Sequence, residues 1–189
     1  TFLAKIYLII FLFFGISGFS QSLSQKQIDS LVQKTMKTFD VPGIAVAVLK
    51  DGDVVHMQGY GIRSLKDGGK VDENTLFGVA SNTKAMTSAA LAMLVDEGKL
   101  AWETKVIEVL PEFQLYDPYV TREFTVRDLL THRSGLGLGA GDLMVWPSQN
   151  TTEKDELIYN LRYLKPVSSF RSQYDYDNLL YIVAGVIVE

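Results

Sequence analysis

The sequence predicts an α+β fold, an antiparallel sheet flanked by helices with an inserted and mostly helical region, and three observations carry that reading. A hairpin signal comes early, an alanine-rich apolar helix follows it, and beyond Gly98 strand signals thin out while short helical patterns take over. With 189 residues, 47% of them hydrophobic and 21% charged, the chain can bury a sizeable core. The net charge of −4, with no cluster of Lys or Arg, offers no basic footprint, so nucleic acid is set aside as a partner. The chain has no cysteine, which excludes disulfides, thiol catalysis and Cys-based zinc sites. His56 and His132 are its only histidines, too few for most metal centres, and no metal or organic cofactor is implied.

Residues 1–20 have the order of a secretory signal peptide. Lys5 precedes an apolar run over 6–14, and Gly15, Ser17, Gly18 and Ser20 then supply small residues. Cleavage after Ser20 would leave Gln21 at the mature N-terminus and the folded part at 21–189. The apolar core is short for a membrane span, so none is expected after cleavage, although an uncleaved anchor fits the same residues. No cysteine follows the run, which excludes a lipid anchor on cysteine. A periplasmic or secreted location follows. A start at Thr1 rather than Met, and a stop at Glu189 inside the apolar run 179–184, read as a piece of a longer protein whose remaining strands lie beyond Glu189.

Within 21–189, Ile28, Leu31, Val32, Met36 and Phe39 recur at helical spacing from Ser24 onward until Pro42-Gly43 interrupts them. Residues 44–49 are apolar and β-rich, Asp51-Gly52 is a turn signal, and 54–60 resume as a strand, which together predict a hairpin. Residues 61–74 are glycine-rich and charged, hence a loop. A short apolar approach over 75–79 leads to Ser81, after which Ala85, Met86, Ala89, Ala90, Ala92, Met93 and Leu94 predict a buried helix ending at Gly98. Short helices are expected around 106–110, 125–132 and 153–164. Thr125 and Asp128 have the spacing of a capping box, which makes Thr125 a cap rather than a catalyst.

Ser81-Asn82-Thr83-Lys84 is the chain's single S-x-x-K motif. Three residues on a helix place both side chains on one face, about 4.5 Å apart along the axis, so an amine can meet the hydroxyl. The start of a helix also presents free N–H groups and the positive end of the dipole to a developing oxyanion. The plainer alternative is a helix-capping Ser81 beside a lysine whose stem lies along apolar surface and whose head reaches water. Tyr176-Asp177-Asn178, just before a second apolar helix, supplies a phenol able to shuttle a proton and an amide able to hold both Lys84 and a substrate carbonyl. The alternative there is a packed tyrosine with Asn178 as the helix cap.

Taken in order, Ser81-Asn82-Thr83-Lys84, the segment Leu129-Leu130-Thr131-His132-Arg133-Ser134-Gly135-Leu136, and Tyr176-Asp177-Asn178 before the apolar run resemble the class C β-lactamase and penicillin-binding-protein-like serine hydrolase family. That family also includes D-Ala-D-Ala carboxypeptidases, D-aminopeptidases and esterases. The resemblance runs from about Ile28 to the end and covers only the family's N-terminal portion. It implies a β-lactamase/transpeptidase-like fold and an acyl-enzyme mechanism. Ser81 would attack a carbonyl centre in a small-molecule or peptide substrate, Lys84 and Tyr176 would manage the proton, and Asn178 would bind substrate. It also implies that the segment around His132 is structural, against a rival Ser-His reading of His132 and Ser134. His56 reads as a packed or surface residue of the hairpin.

Two departures bear on substrate. Asp177 stands where many members have Ser, and Phe170-Arg171-Ser172-Gln173 stands where Pro-Gly is common. The family's third motif, Lys/His-Thr/Ser-Gly on a later strand, would fall beyond Glu189, taking with it a cation and an oxyanion donor. Free tyrosine titrates near pH 10, so a base working near pH 7 needs a shift of about three units, roughly 4 kcal/mol. A missing oxyanion donor lowers the rate by a further factor of about 10² to 10³. The piece alone is therefore expected to turn over poorly. The readings that remain are a hydrolase acting on a β-lactam, a D-amino-acid peptide or an ester, a non-catalytic β-lactam- or peptidoglycan-binding sensor of the same fold, and a structural cell-envelope protein, which the intact set of site residues disfavours.

Overall fold

A computed structural model describes residues 23–146 and 151–189, which form two compact units divided between Phe77 and Gly78. The leader reading of residues 1–20 lies outside the described residues.

The first unit begins with helix α1, Gln25–Phe39. Its start is fixed by a capping box, in which Ser24 accepts from the Gln27 N–H while the Gln27 side chain accepts from the Ser24 N–H. Its end is fixed by Asp40 in the left-handed conformation, φ 51°. The helical stripe is narrower than its sequence pattern, since Ile28 and Val32 are buried but Leu31 and Phe39 are exposed. Strands β1, Gly43–Lys50, and β2, Asp53–Gly61, form the expected antiparallel hairpin. Asp51 and Gly52 both take positive φ, 52° and 91°, which suits the right-handed twist of a two-residue turn. The register slips between Val48 and Leu49, so that Val48 faces His56 and Leu49 faces Val54, leaving Val55 unpaired as a bulge. Ile44, Val46 and Val48 alternate onto the face that packs with Ile28, Val32, Met36 and Tyr60. His56 is buried there, bridging Gln25 and the Tyr60 hydroxyl, and Tyr60 donates to Asp29 at 2.6 Å. Burial, reinforced by the Asp29 carboxylate, pushes the Tyr60 phenol up to about 12.

The second unit opens with a single 3-10 turn, Ala80–Asn82, which runs into helix α2, Thr83–Asp96. Gly98, at φ 69°, closes α2 in a Schellman arrangement, with Lys99 N–H on Leu94 O and Gly98 N–H on Val95 O. Short helices α3, Val106–Val109, and α5, Val126–Leu130, occupy two of the expected positions, and α6, Lys154–Asn160, continued by a 3-10 turn over Leu161–Tyr163, occupies the third. Helix α4, Pro118–Glu123, was not expected from the apolar pattern. Its signal is chemical instead, because Asp117 accepts from the Tyr119 and Val120 N–H groups and Pro118 takes the first helical position, where no donor is needed. The capping box of Thr125 and Asp128 forms as expected.

Helix α7, Leu179–Val188, is the hub of this unit. Leu179, Leu180, Val183 and Ala184 are buried with Leu91, Phe113, Phe124, Leu129, Ile158 and Leu161 in one apolar core. Helix α2 is apolar nearly all round but buries only Leu91, leaving Met86 and Met93 exposed at 68% and 62%. Its expected burial is thus met on one side only.

Candidate active site

The Ser-Lys spacing does what helical geometry demands. Ser81 lies on the 3-10 turn and Lys84 on the first turn of α2, so both side chains face the same way and Lys84 Nζ reaches Ser81 Oγ at 3.2 Å. Ala80, immediately before the serine, is held at φ 44°, a left-handed conformation unusual for a residue with a Cβ. Ser81 is not a helix cap. Its oxygen is 2.6 Å from Tyr176 Oη.

Tyr176 and Asn178 arrive from the segment leading into α7. Asn178 Oδ1 accepts from Lys84 Nζ at 2.8 Å, and the ammonium lies 4.8 Å from the ring centre of Tyr176 and 5.3 Å from that of Tyr181. Lys84 is therefore half-buried between two aromatic faces and an amide oxygen, rather than reaching into water. Asn178 holds the N-cap position of α7, but its side chain makes no capping hydrogen bond. That role falls to Asp177, whose Oδ1 accepts from the Leu180 N–H at 2.9 Å. Ser81, Lys84, Tyr176 and Asn178 thus meet in one place, and every one of them belongs to the second unit.

The Tyr176 phenol is held below its ordinary value of 10. A hydrogen bond from Lys84 contributes most and one with Ser81 adds to it, while burial and the charge of Asp142 oppose them. A phenol next to an ammonium can give up its proton and then accept one from the serine hydroxyl 2.6 Å away.

His132 supports the phenol from behind. Its ring stacks on Tyr176 with centroids 4.6 Å apart, meets Tyr174 edge-on at 5.3 Å, and lies 5.4 Å from Tyr181. Nδ1 accepts from the Asp177 N–H at 3.1 Å, which places the imidazole proton on Nε2. Burial, and then the charge of Lys84, hold its pKa below 6.5, in keeping with that neutral ring. Ser134 accepts from the Leu136 N–H at 3.0 Å, a turn contact that leaves the Ser-His reading without geometric support. Arg171 occupies φ 61°, and its guanidinium grips Asp128 with Nε at 2.9 Å and a terminal nitrogen at 2.6 Å.

Sequence reasoning missed Asp142. Both of its carboxylate oxygens lie near Asn178 Nδ2, at 3.1 and 3.2 Å. Nothing in the local sequence marks it, because the partners are 36 positions apart and only tertiary packing brings them together. A hollow of about 570 Å³ elsewhere in this unit is lined by Tyr116, Tyr119, Leu136, Phe170 and Arg171 among others, and by none of the four site residues. Among the described residues there is no group of three or more His, Asp or Glu able to hold a metal.

A strained residue before a serine, a lysine one helical turn on, and a tyrosine and an amide from the segment leading into a later helix form one side-chain cluster on an α+β scaffold. Residues 28–189 match the family described as Beta-lactamase, and the chain belongs to that family, with its serine hydrolase fold. Among curated proteins it is similar to the unguisins hydrolase of Aspergillus violaceofuscus, 36% identical over 164 residues that make up 84% of this chain and 29% of that protein. Among solved structures it resembles the octameric penicillin-binding protein homologue of Pyrococcus abyssi, at a TM-score of 0.73 and 28% identity over 88% of this chain and 39% of that one. A class C beta-lactamase gives 0.68 and 28% over 85% and 42%. The chain therefore spans less than half the length of these relatives. The α+β expectation is met, with a two-stranded antiparallel sheet beside helices.

Proposed function

We propose that the protein is an exported serine hydrolase or acyl-transferase working through an acyl-enzyme on Ser81, with a β-lactam, a D-amino-acid peptide or an ester as substrate. The observation that carries this reading is the placement of Ser81 Oγ 2.6 Å from Tyr176 Oη and 3.2 Å from Lys84 Nζ. Lys84 as ammonium favours the Tyr176 phenolate, and the phenolate takes the Ser81 proton as Oγ bonds to the substrate carbonyl carbon. The proton passes from Tyr176 to the departing nitrogen or oxygen as the acyl bond breaks. Water then repeats the sequence, attacking the acyl carbon and returning a proton to Ser81. Asn178 holds Lys84 through Oδ1 and offers its amide to the substrate carbonyl. The Aspergillus relative is a hydrolase by name, which favours turnover over a binding-only sensor. Export, to the periplasm or outside the cell, rests on the leader pattern of residues 1–20. Among the described residues no helix is long and apolar enough to cross a membrane.

The test is intact-mass analysis with peptide mapping of the complete protein after exposure to a labelled penicillin and a fluorophosphonate, alongside Ser81→Ala and Lys84→Ala. The expected result is an adduct on Ser81 that Ser81→Ala abolishes and Lys84→Ala slows by about 10² or more. A short-lived penicillin adduct marks a hydrolase and a permanent one marks a sensor. No adduct from either reagent would overturn the proposal.

A further inference from the structure

Asn178 carries out two tasks that depend on which way its amide faces. Lys84 can only donate, so it must meet Oδ1, at 2.8 Å, and Nδ2 then faces the opposite side. The group on that side is the Asp142 carboxylate, which can only accept and which lies almost equally near Nδ2 with both oxygens, 3.1 and 3.2 Å. Cation and anion thus clamp the amide from its two ends. The near-equal approach lets one N–H serve the carboxylate and leaves the second for a substrate carbonyl.

Asp142 is itself held firmly. It begins a 3-10 turn, Asp142–Met144, after Gly141, whose φ is 72°. The Asp142 N–H donates to Gly139 O at 3.1 Å, and the Asp142 carbonyl accepts from Trp146 N–H at 2.8 Å. Gly141 fits so closely that an added Cβ would come within 2.3 Å of Leu179 Cδ1, on the residue next to Asn178. The Gly141 backbone therefore packs against the Leu179 side chain, which brings the turn that carries the carboxylate close to the residue beside the amide.

We propose that Asp142 is a positioning residue of this site, fixing the Asn178 amide so that its oxygen holds Lys84 while one N–H stays free for substrate. The inference rests on the serine-hydrolase reading for its kinetic consequence but not for the orientation itself. The groups facing Tyr176 are Ser81, Lys84, the His132 ring, Asp142 and the neighbouring Asp177, and of these the negative charge of Asp142 opposes ionisation of the phenol. Removing that charge should make the phenolate easier to form.

The experiment compares the complete wild-type protein with Asp142→Asn and Asp142→Ala. Acylation of Ser81 by labelled penicillin is followed against pH, and the Asn178 side-chain signals are followed in protein labelled with ¹⁵N-asparagine and assigned by their loss in Asn178→Asp. Asp142→Ala is expected to slow acylation by about tenfold or more, the loss of one oriented hydrogen bond. Asp142→Asn keeps an acceptor and should recover most of that rate, with the acid limb of the profile moved to lower pH. The Asn178 signals should shift clearly in Asp142→Ala. Unchanged Asn178 signals, or equal losses in both variants with an unmoved acid limb, would overturn the proposal. If wild-type protein takes up no probe, the serine-hydrolase reading fails, and the Asn178 signals alone then decide the orientation.

Discussion

At the scale of single residues, Asp177 is the most costly group near the site. It is buried, its Oδ1 caps helix α7, and its Oδ2 has no hydrogen-bond partner. Burial, with a smaller contribution from the charge of Asp142, pushes its pKa up from 3.8 to about 6. Because the folded value lies above the unfolded one, the stability contributed by the protonated acid is complete below about pH 4 and is lost as pH rises through about 6. The shift corresponds to roughly 3 kcal/mol across that window. Asp177→Asn keeps an oxygen for the Leu180 N–H but carries no charge. Urea unfolding should therefore find the variant gaining on wild type between pH 4 and 6 and level outside it. A stability difference that does not change with pH would show that Asp177 titrates in the folded protein as it does in the unfolded chain. His132 changes in the opposite sense, since its depressed pKa makes stability fall as pH drops below about 6.5. Comparing variants on the same His132 background removes that contribution.

At the scale of elements, the segment before α7 is held by a contact that works against local preference. Arg171 occupies φ 61°, where a residue with a Cβ is strained by about 1 kcal/mol and glycine is not. What retains it is the fork onto Asp128, whose side chain is only 7% exposed and also belongs to the capping box of α5. Burial by itself would raise Asp128, but the Arg171 fork and the Thr125 hydrogen bonds outweigh it and hold the carboxyl below its ordinary value. Because Arg171 is itself 42% exposed, the lower end of the range for a broken ion pair applies, about 3 kcal/mol. Arg171→Gly recovers the backbone strain and should destabilise by about 2 kcal/mol, and Arg171→Ala, which keeps the strain, by about 3. Both losses should shrink as pH falls through and below about 4, where Asp128 is protonated in the unfolded chain and then in the folded one. An Arg171→Gly protein as stable as wild type at pH 7 would show that the ion pair contributes no more than the roughly 1 kcal/mol of strain that glycine relieves. Sequence alone could place this segment as a departure from a Pro-Gly pattern, but it could not supply the distant acid that explains why an arginine is tolerated there.

At the scale of the whole molecule, what could be read from sequence was whatever local chemistry enforces. The Asp51-Gly52 turn, the capping boxes at Ser24 and Thr125, and the one-turn spacing of Ser81 and Lys84 each depend on residues at most three apart. The convergence of Tyr176 and Asn178 on that pair was legible only through family resemblance, and Asp142 was not legible at all, because tertiary packing alone brings these groups together. Burial was legible in part, since an apolar run states that a surface wants covering but not what covers it. Helix α2 leaves Met86 and Met93 open, and in the first unit Ala45, Ala47 and Met57 form an uncovered face on a sheet of only two strands. Among the described residues these two strands pair with no third, and a sheet of two strands is marginal. Because the chain spans 29% of the Aspergillus relative and 39% of the Pyrococcus one, the complete protein is expected to cover these faces with its own residues. A polypeptide of residues 21–189 produced alone should then bind a hydrophobic dye, associate in sedimentation experiments, and exchange the amide hydrogens of β1 and β2 within seconds, whereas the complete protein does none of these. Slow exchange in that hairpin together with a monomeric, dye-free piece would mean that these surfaces need no covering, and that 21–189 is a self-sufficient fold.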